Sequence, residues 1–321
     1  MRLENEIQVS VCIVTYNHEN YIGKCLESLV KQRTTFAFEI IVGEDCSTDG
    51  TRKIVQKYAE QYPHLIKPIF YEKNVGAVEN LKHTYIKAKG KYIAHLDGDD
   101  FALPNKLQTQ FDILEKNLDC NICSHDMIRV SDKNVNQENN WIYPQGVYDL
   151  FDLYHKLPFF AHSSKMFRNK YPSSFWEKLL SEKYILDIDI HVENTLDGNI
   201  FHVGKLLGGY RVGSGISFES KVNPAFPSGA KRLFDKALDI YRNDAKKFSK
   251  IESLYAHALL QCAYNYALFD KNQELFKEYV NLSIDRKFIG VTQLIFKIAT
   301  YMPGLFFAFF KLRSQIKHNL G

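Results

Sequence analysis

Hydrophobic and polar positions alternate along the first 125 residues in the pattern of a parallel α/β protein. Four short, mainly apolar runs have the length of buried strands, and the segments between them repeat apolar residues every three or four positions, as helices do. Strands that alternate with helices of this length predict an α/β fold, with a mostly parallel sheet flanked by helices on both faces. The four runs are Val9–Val14, Glu39–Gly43, Ile66–Tyr71 and Lys91–Leu96.

The predicted helices begin and end at residues that commonly mark helix boundaries. The first carries one apolar face over Ile22–Val30, and the second stops before Pro63. The third covers about Ala77–Ala88 and ends at Gly90. Pro104 predicts the start of a fourth helix, because proline is favoured in the first turn.

The remainder of the chain divides into further segments. The stretch Asp126–Pro144 is polar and rich in asparagine, which predicts a loop. From Ala225 apolar residues recur at helical spacing, and a turn at Asp270–Gln273 separates two such faces, which predicts a helical hairpin. We therefore expect an α/β domain over residues 1–224, with one half at 1–125 and the other at 126–224. A helical hairpin region at 225–287 and a tail at 288–321 follow it.

The tail combines an apolar run with basic residues. Phe288–Phe310 contains one charged residue, Lys297, and one proline, Pro303, and basic residues such as Lys311 and Arg313 follow it. A helix that lies on an anionic membrane surface fits this pattern. A single membrane span is one alternative, and a helix packed on the protein's own core or at a homodimer interface is the other.

Composition narrows the class of protein. The formal net charge of +4 is too small an excess to indicate a nucleic-acid-binding protein. The cysteines lie mostly in apolar runs, which is typical of buried thiols in a reducing compartment. Cys120 and Cys123 have no second pair to complete a zinc site, so we expect two buried thiols of one strand. Met1–Gln8 lacks the apolar core of a secretory signal, which predicts a cytoplasmic protein.

The strongest signal for chemistry is the segment His95-Leu96-Asp97-Gly98-Asp99-Asp100, at the end of the fourth predicted strand. Three carboxylates within four residues repel one another, and a divalent cation relieves that repulsion. In extended geometry the side chains of Asp97 and Asp99 point the same way, and Gly98 allows a bulky group to approach the backbone. Ligands of open α/β sheets bind at this end of the strands. The segment therefore predicts a metal or phosphate site, with a solvated acidic turn as the alternative.

Two further polar segments follow the ends of predicted strands. Thr15–Asn17 follows the first strand, and Glu44–Thr51 follows the second. Within the latter, Ser47, Thr48 or Asp49 can cap the next helix. Because the carboxyl ends of parallel strands meet at one edge of a sheet, we expect all three polar segments to converge on one site.

A resemblance to a known family follows from these segments. VSVCIVTYN, EIIVGEDCSTDGT, NVGAVEN and GKYIAHLDGDD, in this order over residues 9–125, resemble the family 2 glycosyltransferases. Leu186–Asp189, Asp197–Ile200 and Gly209–Val212 are similar to the acceptor-side segments of that family. The resemblance implies the Rossmann-like A-type glycosyltransferase fold. It also implies inverting transfer of a hexosyl or N-acetylhexosaminyl group from a nucleotide-sugar, a UDP-sugar, to a glycan or lipid-linked saccharide in surface-polysaccharide synthesis.

The resemblance implies roles for residues on the donor side. Tyr16 and Asp45 would hold the base and ribose of the nucleotide, and Asn74 belongs to the segment that lines the nucleotide. Asp97 and Asp99 would form the DXD pair that binds Mn²⁺ or Mg²⁺, with Asp99 the more direct metal ligand. A dication at this position stabilises the charge that grows on the departing nucleoside diphosphate.

On the acceptor side, the resemblance implies that Asp187 is the general base, with Asp189 as the alternate. Leu186 precedes Asp187 where many family members have glutamate, and Gly213 follows Tyr-Arg-Val where many have histidine. A single base and direct displacement invert the anomeric configuration.

Two other functions fit this sequence. A sugar nucleotidyltransferase also uses an α/β sheet and a metal, although such enzymes usually carry a glycine-rich basic loop where this chain has Thr15–Asn20. A non-catalytic carbohydrate-binding or scaffold protein of the same fold is the second alternative. Taken with a lipid-linked acceptor, the tail predicts peripheral contact with the inner face of the plasma membrane.

Overall fold

The chain divides into two compact units, Met1–Gly215 and Ile216–Gly321. The computed structural model describes residues 6–131, 140–157, 159–182, 184–213, 222 and 225–302. The finer division predicted at residues 125, 224 and 287 stays a prediction.

The first unit is built on a mixed sheet. Within its described residues the strands are β1 (Ile7–Thr15), β2 (Ala37–Glu44), β3 (Ile66–Phe70), β4 (Tyr92–Asp97), β5 (Phe101–Ala102), β6 (Cys120–Val130), β7 (Gly146–Tyr148), β8 (Met166–Arg168) and β9 (Asn199–Arg211). Their order across the sheet is β3-β2-β1-β4-β8-β6-β9-β5, and β7 pairs with β9. The first four strands are parallel, whereas β8 runs antiparallel between β4 and β6.

Helices cover this sheet on both faces. They are α1 (Ile22–Val30), α2 (Thr51–Gln61), α3 (Ala77–Lys87), α4 (Lys106–Lys116), α5 (Leu150–His155), α6 (Ser173–Leu179) and α7 (Asp187–Thr195). Successive side chains of a strand point to opposite faces. Val9, Val11 and Ile13 of β1 therefore share one core with the apolar faces of α1, α2 and α4. On the other face, the Cys12 thiol donates to the Thr84 carbonyl of α3. The predicted α/β fold is confirmed.

Two local predictions are wrong. Helix α4 begins at Lys106 and not at Pro104, because Asn105 takes a left-handed conformation (φ +67°) just before it. Strand β6 continues through Asp126–Val130, which the polar composition assigned to a loop. The Asp126 carboxylate is buried there and accepts hydrogen bonds from His202 and from the Tyr143 backbone N–H, so a polar residue fits inside the sheet. Residues 132–139 of that predicted loop lie outside the described residues.

The prediction for the CxxC pair is confirmed. Cys120 and Cys123 both lie in β6, both are fully buried, and both are free thiols. A strand that carries two apolar thiols into the core needs no metal to explain the spacing.

The second unit is helical. Its described helices are α8 (Ala225–Ile240), α9 (Ala245–Asn265), α10 (Gln273–Arg286) and α11 (Val291–Ala299), with a π-helical turn at Tyr266–Asp270. Helices α9 and α10 form the predicted hairpin, whose small core includes Ala263, Phe276 and Val280. Residues 303–321 of the predicted tail lie outside the described residues. Across the described part of the chain, every helix falls short of the length and hydropathy that a membrane crossing requires.

Gly90 provides a test of the packing between β1 and the start of β4. A Cβ atom at Gly90 would lie 2.5 Å from the Ser10 backbone nitrogen and 2.7 Å from the Val9 carbonyl carbon. Because backbone atoms cannot move aside, Gly90→Ala should lower the free energy of unfolding by about 1–3 kcal/mol. Urea denaturation followed by circular dichroism measures this change.

Gly23→Ala is the matched control for this measurement. A Cβ atom at Gly23 would meet only Ile54, 3.9 Å away. Alanine is favoured over glycine inside a helix, so stability should stay the same or rise by up to about 1 kcal/mol. Equal denaturation midpoints for Gly90→Ala and the wild type would contradict the packing described here.

Candidate active site

The carboxyl ends of β1, β2 and β4 meet at one edge of the sheet. In the strand register, Val14 of β1 lies beside Asp97 of β4, and Thr15 lies beside Glu44 of β2. The three polar segments singled out in the sequence therefore converge, as their strand-end positions predict. We call this region the carboxyl edge.

Hydrogen bonds between the loops after β1 and β2 hold the carboxyl edge together. Asn17 takes a left-handed conformation (φ +54°), and its side-chain oxygen accepts from the Thr48 backbone N–H at 2.8 Å. The Asn17 backbone N–H donates to the Ser47 hydroxyl at 3.0 Å. These contacts leave Tyr16, between Thr15 and Asn17, with 41% of its surface exposed.

The predicted nucleotide residues Asp45 and Asn74 lie against each other. Asp45 is only 2% exposed, and its two carboxylate oxygens accept backbone N–H groups of Val75 (2.6 Å) and Gly76 (2.9 Å). The Asn74 amide donates to the Asp45 carbonyl at 3.2 Å. Gly76 has φ +87°, a conformation that residues other than glycine rarely adopt. Asp45 thus fastens the loop before α3, and each of its oxygens keeps a second lone pair for a ligand.

The backbone turns sharply through the acidic segment. The Asp100 N–H donates to the Asp97 carbonyl at 3.0 Å, so the extended geometry expected for Asp97 and Asp99 is wrong. The expectation for Gly98 is also revised, because a Cβ there would lie 2.5 Å from the Thr15 hydroxyl oxygen. Glycine is needed at this position for contact with the end of β1.

Asp97 is held by two side chains. The His95 ring nitrogen Nε2 lies 3.1 Å from Asp97 Oδ1, and the Ser163 hydroxyl donates to Oδ2 at 3.1 Å. Burial raises the pKa of Asp97, but His95 and these hydrogen bonds lower it more, so the pKa ends below its ordinary value. Burial lowers the pKa of His95, so the ring is neutral near pH 7. Since the Tyr85 hydroxyl occupies Nδ1, we assign the proton to Nε2.

Asp100 supplies the observation that bears on a metal. It is 2% exposed, and its Oδ1 accepts the Arg211 backbone N–H at 2.7 Å. The Ser163 hydroxyl lies near enough to Asp100 to lower its pKa but donates to Asp97, so the buried Oδ2 of Asp100 accepts no hydrogen bond among the described residues. Burial and the charges of Asp97 and Asp99 raise the pKa of Asp100 well above its ordinary value. Crowded carboxylates with an unpaired buried oxygen fit a hard divalent cation.

The protein alone does not enclose such a cation. Over the described residues, no group of three or more histidine, cysteine, aspartate or glutamate side chains is placed to hold a metal ion. Magnesium-type ions are commonly bound by one or two carboxylates together with phosphate oxygens and water. The donor set therefore fits a cation that arrives with a phosphorylated ligand.

The two candidate bases differ in their surroundings. Asp189 is 6% exposed, and its carboxylate accepts the Leu186 backbone N–H at 2.8 Å, which caps α7. Asp187 begins α7, and its side chain is 67% exposed. The surrounding protein restricts its hydration, and together with the charge of Asp97 this raises the pKa of Asp187 to about 6, against the opposing effect of Lys165.

The sequence assigned no role to a group of side chains that the structure places beside these carboxylates. His162 and Ser163 belong to a 3-10 turn (His162–Ser164), which leads through Lys165 into β8. All three contact the site or its neighbours, yet they lie more than 60 residues after the acidic segment. The one signal that could have indicated them is the cluster of polar residues directly before an apolar strand.

Comparisons with known proteins identify the family of this chain. Residues 10–173 match the family model described as Glycosyl transferase family 2. The putative teichuronic acid biosynthesis glycosyltransferase TuaG of Bacillus subtilis is 37% identical over 106 residues, which are 33% of this chain and 41% of TuaG. The cholesterol galactosyltransferase of Borreliella burgdorferi is 23% identical over 277 residues, 86% of this chain and 73% of that enzyme. The chain spans 34% to 41% of the length of the curated relatives that it matches at 37% identity.

A solved structure shares the fold. Staphylococcus aureus TarS residues 1–349, crystallised with UDP-GlcNAc, superimposes with a TM-score of 0.60 at 20% identity, over 87% of this chain and 81% of that one. The family model spans β1 to β8 and hence the whole carboxyl edge. The chain therefore belongs to glycosyl transferase family 2, as its strand-end segments indicate.

Proposed function

We propose that the protein is an inverting, metal-dependent glycosyltransferase. It moves a hexosyl or N-acetylhexosaminyl group from a UDP-sugar to a hydroxyl of a saccharide or lipid-linked saccharide in surface-polysaccharide synthesis. The observation that carries the proposal is the buried, unpaired oxygen of Asp100 among three crowded carboxylates at the carboxyl edge. Such an arrangement suits a ligand that brings both a cation and phosphate groups.

The donor nucleotide would bind across the loops after β1 and β2. The exposed ring of Tyr16 suits stacking against a base, and the Asp45 carboxylate suits acceptance from uracil or a ribose hydroxyl. Asn74 would line the same side through its contact with Asp45. The crystal structure of TarS with UDP-GlcNAc supports a uridine donor, because that protein shares the fold.

Asp97 and Asp99 would hold Mn²⁺ or Mg²⁺. When bound, the cation offsets negative charge on the diphosphate as the glycosidic bond breaks. The chain's own part is to keep the carboxylates ionised and in place. His95 and Ser163 do both for Asp97, and the Arg211 backbone N–H holds Asp100 in place.

Asp187 would take the proton from the acceptor hydroxyl. Its exposed side chain is accessible to an acceptor, whereas the Asp189 carboxylate is engaged in capping α7. A base whose pKa is about 6 is mostly deprotonated at pH 7 and still close enough to accept a proton effectively. One base and direct attack from the opposite face invert the anomeric centre.

Asp99→Asn tests the metal-dependent transfer. With Mn²⁺, a panel of UDP-sugars and an acceptor extract, release of nucleoside diphosphate should fall about 10²- to 10³-fold, because the cation loses a charged ligand. Chelation of the wild type should have the same effect. The melting temperature should stay within a few degrees, and Asp112→Asn, which changes an exposed carboxylate of α4, is the matched control.

The products of this assay also separate the alternatives. Full turnover by Asp99→Asn or after chelation would contradict the proposal. Release of pyrophosphate from a nucleoside triphosphate would identify a sugar nucleotidyltransferase. Binding of UDP-sugars with no turnover would identify a non-catalytic carbohydrate-binding or scaffold protein.

We further propose that the second unit contacts the inner face of the plasma membrane. Helix α11 exposes four apolar side chains at positions that share one helical face, namely Val291, Leu294, Ile295 and Ile298, which are 47% to 68% exposed. From Arg286 to Gly321 the sequence contains six Lys and Arg residues and no acidic residue. In a segment whose charged residues are all basic, the basic groups suit anionic lipid headgroups and the exposed apolar face suits the acyl chains beneath them.

Ile295→Asp combined with Ile298→Asp tests this surface. Binding to phosphatidylglycerol vesicles in a sedimentation assay should fall at least about tenfold, because apolar contact is lost and acidic charge is added. Leu118→Asp, at a 77% exposed position in the first unit, is the control and should bind like the wild type. Unchanged sedimentation of the double variant would contradict membrane contact through α11.

A further inference from the structure

A buried group of basic side chains lies between the acidic turn and Asp187. Lys165 is fully buried, His191 is 2% exposed, and the side chain of His162 is 8% exposed. Such groups are rarely buried without a hydrogen-bonding role. The proposed function uses none of them directly.

We propose that His162, oriented by Lys165, is a positioning residue for Asp187 and directs its Nε2–H towards the carboxylate. This inference rests on the proposed function, because it assumes that Asp187 is the base. It adds a device that holds the base in place, which the family motifs do not describe.

The contacts of His162 assign its tautomer. Lys165 Nζ lies 3.1 Å from His162 Nδ1, and an amine carries N–H groups in either protonation state. His191 Nε2 lies 3.3 Å from the same nitrogen. With two potential donors at Nδ1, that atom acts as the acceptor, and the ring proton belongs on Nε2.

The protonated Nε2 faces Asp187. It is buried, it lacks a hydrogen-bond partner among the described residues, and it lies 3.9 Å from Asp187 Oδ1. This distance is too long for a direct hydrogen bond, but one side-chain rotation of the exposed Asp187 or one bridging water closes it. Hydrogen bonds of catalytic groups often tighten only when substrate binds.

A hydrogen bond from His162 would engage one carboxylate oxygen of Asp187 and leave the other for the acceptor hydroxyl. It would also favour the ionised base, because donation to a carboxylate lowers its pKa. His162 packs edge-on against His95, with 4.0 Å between ring centroids, and His95 contacts Asp97. Two touching histidines therefore support the donor-side carboxylate and the base together.

Several other titratable groups also affect the pKa of Asp187 and therefore contribute to the pH dependence of transfer. Asp97 and Asp189 raise its pKa, and Lys165 lowers it. The phenols of Tyr85 and Tyr210 also lie within electrostatic range of it. A substitution at His162 leaves these side chains in the protein, although Lys165 loses the acceptor at His162 Nδ1.

His162→Leu and His162→Gln form the test, with transfer from a UDP-sugar measured across pH. Leucine removes the donor, so kcat should fall about tenfold with the donor KM unchanged, and the acidic limb of the kcat profile should move to higher pH. Glutamine places an amide N–H near the position of Nε2 and should restore most of the rate. His257→Leu, at an exposed histidine of α9, is the matched control.

Lys165→Met provides a second test of the inference if the His162→Leu variant does not fold. Removing a buried amine while keeping the volume is tolerated in many proteins. The variant should lower kcat and shift the acidic limb in the same direction, because the ring loses the donor at Nδ1 and Asp187 loses a nearby positive charge. A wild-type kcat and pH profile in folded His162→Leu or Lys165→Met would overturn the inference.

Asp187→Asn separates this inference from the proposed function. If Asp187→Asn lowers transfer to a residual rate that is still measurable and adding His162→Leu causes no further loss, the two residues act as one unit. If Asp187→Asn is inactive while His162→Leu behaves as wild type, only the inference fails. If Asp187→Asn retains full transfer, the assigned base is wrong and the inference fails with it.

Discussion

Mutual repulsion of carboxylates at the end of β4 is the constraint on which the site depends. Asp97, Asp99 and Asp100 lie within one turn, where burial and the charges of the other two carboxylates make ionisation of Asp100 costly. Hydrogen bonds compensate part of this cost. His95 and Ser163 contact the carboxylate of Asp97, and the Arg211 backbone N–H donates to one oxygen of Asp100. The other oxygen of Asp100 accepts no hydrogen bond among the described residues, and a bound cation of the kind proposed above would offset the remaining negative charge.

The short strand β8 brings the supporting residues to this turn. It runs antiparallel beside β4, so the 3-10 turn before it lies next to Asp97. The fully buried Lys106 of α4 donates to the Ser163 carbonyl at 3.2 Å, and Gln110 donates to the Ser164 carbonyl at 2.9 Å. Helix α4 therefore positions the 3-10 turn, whose Ser163 contacts Asp97. Polar groups of this kind are stable in a core only when their partners are in place, so the network favours one arrangement of the site.

The residues of the proposed reaction lie in two parts of the first unit. The donor-side residues follow β1, β2 and β4, whose pairing is parallel and regular. The proposed base lies on α7, beyond residues 10–173 that match the family model. His162 and Lys165 connect these parts through the contacts with His95 and the electrostatic influence on Asp187. In the proposed transfer Asp97 and Asp187 would be ionised at once, and neutral histidines beside them would permit this without adding a permanent buried charge.

The sequence by itself determined the four parallel strands, the helices between them and the convergence of Tyr16, Asp45 and Asp97. The spacing of apolar residues and the position of a residue at a strand end can both be read from the local sequence. Parallel pairing then brings the carboxyl ends of neighbouring strands to one edge of the sheet. Only the tertiary structure decided that Asp126 lies inside a strand, that the acidic segment turns, and that His162 and Lys165 lie beside the carboxylates. Those outcomes depend on antiparallel insertion of β8 and on hydrogen-bond partners distant in the chain, which no local pattern encodes. Exposure of the side chain and the hydrogen bond that caps α7 distinguish Asp187 from Asp189, and both are set by packing.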